Sequence, residues 1–208
     1  MRKIIVGIDE AGRGPLAGPV VAAAFTVLNP NFVLRASNLK LRDSKLLSAI
    51  QRERIYAELH RNPEVAWGIG KVSEKVIDKI NIFQATKLAM VKAVRNLEQK
   101  LRSVRRPTSN TFHNSEIDFL IIDGNFLIDL PISQKAVVRA DAAIFQCMAS
   151  SIIAKVTRDR LMLKLHKKYP MYGFDRHKGY GTKLHFEMLE KHGPCPIHRL
   201  SFAPCKQD

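Results

Sequence analysis

Apolar residues along the chain fall into short runs with two different periods, and the period predicts the element. Lys3 to Asp9 is a β-branched run that ends on Asp9-Glu10 and gives way to Ala11-Gly12-Arg13-Gly14-Pro15, the pattern of a buried strand followed by a glycine-rich turn. Val20 to Val27 reads as a second strand pairing beside it, and Ala66 to Val72 as a third. Ser48-Ala49-Ile50-Gln51 has the spacing of a capping box, after which Ile50 to Leu59 keeps helical spacing. Residues 82–102 predict an amphipathic helix with Phe83, Leu88, Val91, Val94 and Leu97 along one stripe. Arg102 to Ser115, with its Arg-Arg-Pro and its Ser, Thr and Asn content, reads as an exposed loop. The buried-strand pattern returns at Ile117 to Ile122 and ends in Asp123-Gly124. Asp141 opens a helical stretch expected to run unbroken to about Tyr169. A turn-rich segment (Tyr172 to Thr182), a short helix (His185 to Lys191) and a proline-rich tail complete the chain.

Strands interleaved with helices predict an α/β core, a mixed sheet flanked by helices. The 208 residues suit one principal domain. Residues 1–170 are expected to form it, and residues 171–208 a small C-terminal helical extension. With 46% hydrophobic and 25% charged residues the composition is that of an ordinary globular protein and excludes a disordered chain. The longest apolar run, Leu16 to Leu28, is interrupted by Gly18, Pro19 and Thr26 and is too short to span a bilayer. Met1-Arg2-Lys3 leads directly into the first strand without the apolar core of a signal peptide, so a cytoplasmic protein with no membrane association is expected. Cys147, Cys195 and Cys205 form no C-x-x-C pair and read as idle or buried thiols.

Charge changes the picture more than composition does. A formal net charge of +15 gives the molecule a field that attracts polyanions, nucleic acid first among them, although a surplus for solubility has the same sign. Ten Lys and Arg against four Asp and Glu between Lys155 and Lys191 make that stretch the expected phosphate-facing surface. Within this basic chain, Asp9, Glu10 and Asp123 stand at strand ends, where ligands of α/β sheets gather. Neighbouring strands would bring these hard oxygen donors together in a manner suited to Mg²⁺ or Mn²⁺. Helix capping or surface ion pairing is the bland alternative. Strand alternation would send Asp9 and Glu10 to opposite faces unless the strand ends between them. Asp141 and Asp159 are 18 residues apart on one helical face. The helical rise separates them by about 27 Å, so no single metal site can use both. Asp141, at the helix start, is the candidate ligand, and Asp159 is expected to pair with Arg158, Arg160 or Lys155. A rival zinc site at His192, Cys195, His198 and Cys205 has two intervening prolines and no standard spacing. His177 and His185 read as phosphate neighbours or surface residues, and Asp43-Ser44-Lys45 as a possible turn that adds a phosphate contact through Lys45.

Seven segments in order resemble the ribonuclease HII family over nearly the whole chain: Gly7-Ile-Asp-Glu-Ala-Gly-Arg-Gly-Pro-Leu-Ala-Gly-Pro-Val20, Asp43-Ser-Lys45, Asn81-Ile-Phe-Gln-Ala-Thr86, Ile122-Asp-Gly-Asn125, Ala149-Ser-Ser-Ile-Ile-Ala-Lys-Val-Thr-Arg-Asp159, His177-Lys-Gly-Tyr-Gly-Thr182 and His198-Arg-Leu-Ser-Phe-Ala-Pro204. The resemblance implies an RNase H-like fold. It implies an endonuclease that cuts the RNA strand of RNA–DNA hybrids and single ribonucleotides embedded in duplex DNA, leaving 5′-phosphate and 3′-hydroxyl ends. It implies catalytic, metal-holding carboxylates at Asp9, Glu10, Asp123 and Asp141, with Mn²⁺ or Mg²⁺ as cofactor and two ions serving in-line displacement. It also implies that the backbone of Gly12-Arg13-Gly14 reads the 2′-hydroxyl while Tyr180 packs on the neighbouring sugar. A monomer is expected. Ala140, where glycine is common, Ser150 within the usual alanine run, and the long basic loop at 102–115 depart from the family pattern. Another nuclease or recombinase on the same fold, and a non-catalytic nucleic-acid binder, are the competing readings; clustered acids facing phosphate argue against the latter.

Overall fold

The computed structural model describes residues 3–35, 47–104 and 117–205. Four of the five strands are those the apolar runs predict. β1 (Ile5–Ala11) and β2 (Val20–Val27) pair antiparallel from Val6↔Thr26 to Ala11↔Val21. After β2 the chain forms α1 (Asn31–Arg35) and α2 (Ala49–Arg61). Ser48 caps α2 with the reciprocal Ser48–Gln51 bonds of a capping box, at 3.2 and 2.8 Å. β3 (Val65–Val72) returns antiparallel to β2.

α3 (Glu74–Val104) begins one helical segment earlier than the periodicity indicates. Asn81 divides it with φ 64°, and its side-chain oxygen accepts from the Gln84 N–H at 3.0 Å, capping the longer second segment. Val91, Val94 and Leu97 are buried as the stripe predicts, whereas Phe83 lies at the rim and packs edge-on against Phe126.

β4 (Phe119–Asp123) lies parallel to β1, and β5 (Gln134–Val137) parallel to β4, giving the order β3-β2-β1-β4-β5. The predicted unbroken helix from Asp141 is in fact two. α4 (Ala140–Ala143) makes one turn, Ile144 adopts extended φ/ψ (−110°, 118°), and α5 (Phe145–Lys168) begins after it. α6 (Phe174–His177) and α7 (Lys183–His192) follow.

The sheet has one apolar layer on each face. α3 covers Val6, Ile8, Leu120 and Ile122 on one side; α2 and α5 cover Ala23, Phe25 and Trp67 on the other. α5 approaches β1 so closely that a Cβ on Gly7 would overlap the backbone of Gln146 and Cys147. Ser150 exploits the same approach, donating to the Gly7 carbonyl at 2.7 Å. A third cluster joins Leu16, Ala17 and Met162 to Tyr172, Phe174, Leu189 and Ile197, seating the last 35 described residues against the turn after β1. Among the described residues no helix is long and apolar enough to cross a membrane.

Candidate active site

The ends of the two central parallel strands make the site. Pairing between β1 and β4 stops at Ile8↔Ile122, while β1 continues along β2 to Ala11. Asp9 and Glu10 therefore lie within a strand whose other edge has just lost its neighbour. The strand does not end between them, yet both line the same cavity, because the crevice opens beside the strand and not only beyond its tip. Asp123 closes β4, and its Oδ1 accepts from the Ala140 N–H at 3.0 Å, tying β4 to the one-turn helix that carries Asp141. Carboxylate oxygens of Asp9, Asp123 and Asp141 lie within 4.8 Å of one another, the one converging group of three or more potential metal ligands among the described residues. Asp9 is 6% and Asp141 3% exposed.

Burial sets the electrostatics. Removal from water, then the charges of Glu10 and Asp123, push the Asp9 carboxyl well above its ordinary range, with Ser151 hydrogen-bonded to it as a partial counterweight. The Glu10 carboxyl is also raised by burial, against the pull of Arg13, whose Nη1 is 3.4 Å from Glu10 Oε1. The second oxygen, Glu10 Oε2, is buried and has no hydrogen-bond partner. Crowded carboxylates with raised proton affinity and one unpartnered oxygen are the donor set of a hard divalent cation, which would supply the missing positive charge.

The opposite wall of this cavity of about 430 Å³ is formed by Gly12, Arg13, Gly14 and Tyr180, with Arg52, Arg139 and Lys155 around it. Gly12 has φ +98°, and a Cβ there would overlap the Arg158 guanidinium. Arg158 and Arg199 are wholly buried and bind backbone carbonyls instead of acids. Arg158 donates to Pro19, Lys178 and Ala17 at 2.9–3.1 Å; Arg199 donates to Gly12, Arg13 and Gly18 at 2.6–3.0 Å. Two guanidinium forks thus hold the shape of the glycine-rich turn and pin residues 178–199 to it.

Several expectations are corrected here. The stretch from Lys155 to Lys191 is not one phosphate-facing surface: Arg158 is inside the molecule, and Lys155 and Tyr180 are its residues in the cavity wall. Of the three partners expected for Asp159, Lys155 is the one found, at 2.8 Å. His177 and His185 are buried and hydrogen-bonded to backbone, not placed against solvent. His198, a member of the rival zinc set, has its Nδ1 against the Cys195 N–H and its Nε2 against His185. Lys45 and residues 105–116 of the basic loop lie outside the described residues. Sequence reasoning missed Ser151, Arg52, Arg139 and the two buried arginines. Arg199 carries no local signal at all, since its partners lie more than 180 residues away.

Comparison with known proteins gives consistent matches. The family model described as Ribonuclease HII matches residues 6–205. A ribonuclease HII of Acetivibrio thermocellus is 50% identical over 201 residues, covering 97% of this chain and 70% of that protein. One from Chlamydia pneumoniae is 47% identical over 205 residues, covering 98% and 85%. The crystal structure of ribonuclease H2 from Pyrococcus horikoshii OT3 superposes with a TM-score of 0.71 at 25% identity, covering 98% of this chain and 95% of that one.

Proposed function

The chain belongs to the ribonuclease HII family, and on that premise we propose that it is a metal-dependent endonuclease that cuts the RNA strand of RNA–DNA hybrids and single ribonucleotides embedded in duplex DNA. The family carries ribonuclease H-type nuclease activity; the substrate range, the ends and the residue roles are our reading. One observation carries it: three aspartates, Asp9 and Asp141 buried and Asp123 half-buried, with oxygens within 4.8 Å of one another, share a cavity with a glycine-rich turn and an aromatic ring. In this reading Asp9, Asp123 and Asp141 hold the divalent ions, with Glu10 completing the set through its unpartnered oxygen. The ions, Mg²⁺ or Mn²⁺, would supply Lewis-acid activation of water and neutralise charge at the leaving 3′-oxygen. The protein's own residues do the rest. Arg13, Arg52, Arg139 and Lys155 ring the acids and offset their charge, so that a phosphodiester can enter. The backbone of Gly12-Arg13-Gly14 approaches the ribose, and Tyr180 stacks on the adjoining sugar, so that the 2′-hydroxyl decides which phosphate is cut. Residues 1–170 are proposed as the catalytic domain and residues 171–208 as an extension that contributes Tyr180 to substrate binding by a monomer.

The test uses three end-labelled duplexes: a long RNA–DNA hybrid, a DNA duplex with one ribonucleotide, and all-DNA. Cleavage of the first two in Mg²⁺ or Mn²⁺, none in chelator, and 5′-phosphate and 3′-hydroxyl products are expected. Asp9→Asn, Glu10→Gln, Asp123→Asn and Asp141→Asn should each lower turnover at least about 100-fold while hybrid binding persists. Near-normal turnover at saturating metal removes that residue from the site.

A further inference from the structure

Behind the Tyr180 segment lies a buried group that the cavity itself does not use: His177 of α6, His185 of α7, and His198, which bridges to Ala17. The rings of His177 and His185 stack with centroids 4.5 Å apart, and His185 Nε2 meets His198 Nε2 at 3.0 Å. The surrounding backbone fixes where each proton resides. The Cys195 N–H can only donate, and it lies 2.8 Å from His198 Nδ1, so His198 carries its proton on Nε2. The Cys195 carbonyl, 3.2 Å from the same nitrogen, already accepts from the His198 backbone N–H at 2.9 Å. The Tyr180 carbonyl can only accept, and it lies 2.9 Å from His185 Nδ1, so His185 carries its proton there and turns a bare Nε2 to His198. His177 accepts from the Gly179 N–H on Nδ1 and donates from Nε2 to the Tyr172 carbonyl.

The outcome is one directed chain, Cys195 N–H to His198 to His185 to the Tyr180 carbonyl, in which every donor has an acceptor. Tyr180 is gripped at its other end as well, its N–H donating to the His177 carbonyl at 2.9 Å. The chain exists only while both rings are neutral: a further proton on His185 Nε2 would face the His198 N–H across 3.0 Å, and one on His198 Nδ1 would face the Cys195 N–H across 2.8 Å. Among the described residues no carboxylate is hydrogen-bonded to any of the three rings. The titratable groups nearby are Asp175 and Lys178 against His177, and Tyr172 and Cys195 against His198. The Tyr172 hydroxyl is engaged by the Gly193 carbonyl at 2.8 Å, and the neighbouring Arg199 guanidinium by the glycine-rich turn.

We infer that His185 and His198 are positioning residues of the nuclease site: their neutral, proton-ordered chain sets the Tyr180 backbone, and through it the ring that faces Gly14 across the cavity. The inference rests on the reading of Tyr180 as a sugar contact. The ring edge stands 3.9 Å from where a Gly14 Cβ would be, the residue is 42% exposed, and the cations Lys155 and Arg158 lie 5.7–5.8 Å from the ring centroid. The histidine chain adds what those contacts lack, a directional hold on the residue's own carbonyl.

The test has three parts on the full chain. Imidazole ¹⁵N spectra near neutral pH should show His198 protonated on Nε2 and His185 on Nδ1. His198→Gln keeps an N–H near the Nε2 position and so retains the donor to His185. His198→Asn keeps an acceptor for Cys195 but cannot reach His185. The Asn variant should lose about 10- to 100-fold in kcat on a single-ribonucleotide duplex with KM little changed, the range that a misplacement of about 1 Å produces. The Gln variant should recover most of that loss, and in a Tyr180→Ala background the two should be indistinguishable. The opposite tautomer on either ring, equal activity of the Asn and Gln variants, or the same Asn-specific loss without Tyr180 would overturn the inference. Wild-type turnover in Tyr180→Ala alone is a separate failure: it overturns the sugar-contact reading, and with it any need to position Tyr180, whatever the tautomers.

Discussion

Two glycines two positions apart do different work. Gly12 is demanded by the fold, since its φ of +98° is left-handed and its missing Cβ leaves room for Arg158. Gly14 has neither constraint: its φ is ordinary, and a Cβ there would make only loose contact with Tyr180. The space beside Gly14 is open to the cavity. Gly12→Ala should destabilise the fold by more than the roughly 1–2 kcal/mol of the backbone conformation alone, because the Arg158 fork must also shift. Gly14→Ala should leave the melting temperature near wild type and still cut turnover about tenfold or more, with duplex binding retained through phosphate contacts. Thermal melts alongside single-turnover cleavage check both. Equal activity of wild type and Gly14→Ala would mean that no sugar approaches this turn. Residue identity at these positions was legible as a motif, but the division of labour was not. Both glycines read alike until the positions of Arg158 and Tyr180 are known.

At the scale of elements, the strands that carry Asp9 and Asp123 were legible because a β-branched run stops at a carboxylate, and hydrophobic burial leaves such a run few alternatives. The break at Ile144 was not. It has no glycine or proline to mark it, and an isoleucine is as much at home in extended backbone as in a helix. The tertiary bond nearby, the Asp123 carboxylate on the Ala140 N–H, fixes the start of α4. β5 escaped notice because it is short and polar, with Gln134 spending its amide on the Ile128 and Leu130 backbone. The histidines of α6 and α7 were misplaced on the surface since each alone looks like a solvated polar residue; hydrogen bonds to backbone, and for His185 also to His198, make burial tolerable. Burial pushes all three pKa values down, His198 to about 4. In the unfolded chain they take up protons near pH 6.5, while in the fold they remain neutral. Their contribution to stability is therefore complete above about pH 6.5 and is lost as pH falls toward 4. The melting temperature of the wild type should drop further between pH 7.5 and 5 than that of His198→Gln, a difference in which the buried carboxylates, common to both proteins, cancel. Parallel curves for the two proteins would show that His198 does not titrate with unfolding.

For the whole molecule, the net charge of +15 and the near balance of acids and bases inside the cavity must be read together. Four carboxylates ringed by Arg13, Arg52, Arg139 and Lys155 leave little surplus to attract a duplex, so affinity has to come from basic side chains spread along the surface outside the cavity. Recognition of RNA and retention of the duplex are then separable. Raising monovalent salt from about 50 to 200 mM should weaken binding at least about tenfold, through counterion release, and leave kcat at saturating substrate nearly unchanged. Tyr180→Ala should behave in the opposite way, changing kcat and not the salt slope, since an exposed ring without charge contacts no phosphate counterion. Its effect should also depend on substrate. On a duplex with one ribonucleotide a single register is productive, and losing the sugar contact leaves the scissile phosphate without a guide. On a long RNA–DNA hybrid every register presents a 2′-hydroxyl to the turn at Gly12-Arg13-Gly14, so misplacement is forgiven and the loss should be several-fold smaller. Cleavage of the two substrates at matched salt decides it. The same fractional loss on both would make Tyr180 a wall of the cavity, and would put the discrimination of an isolated ribonucleotide in the glycine-rich turn alone.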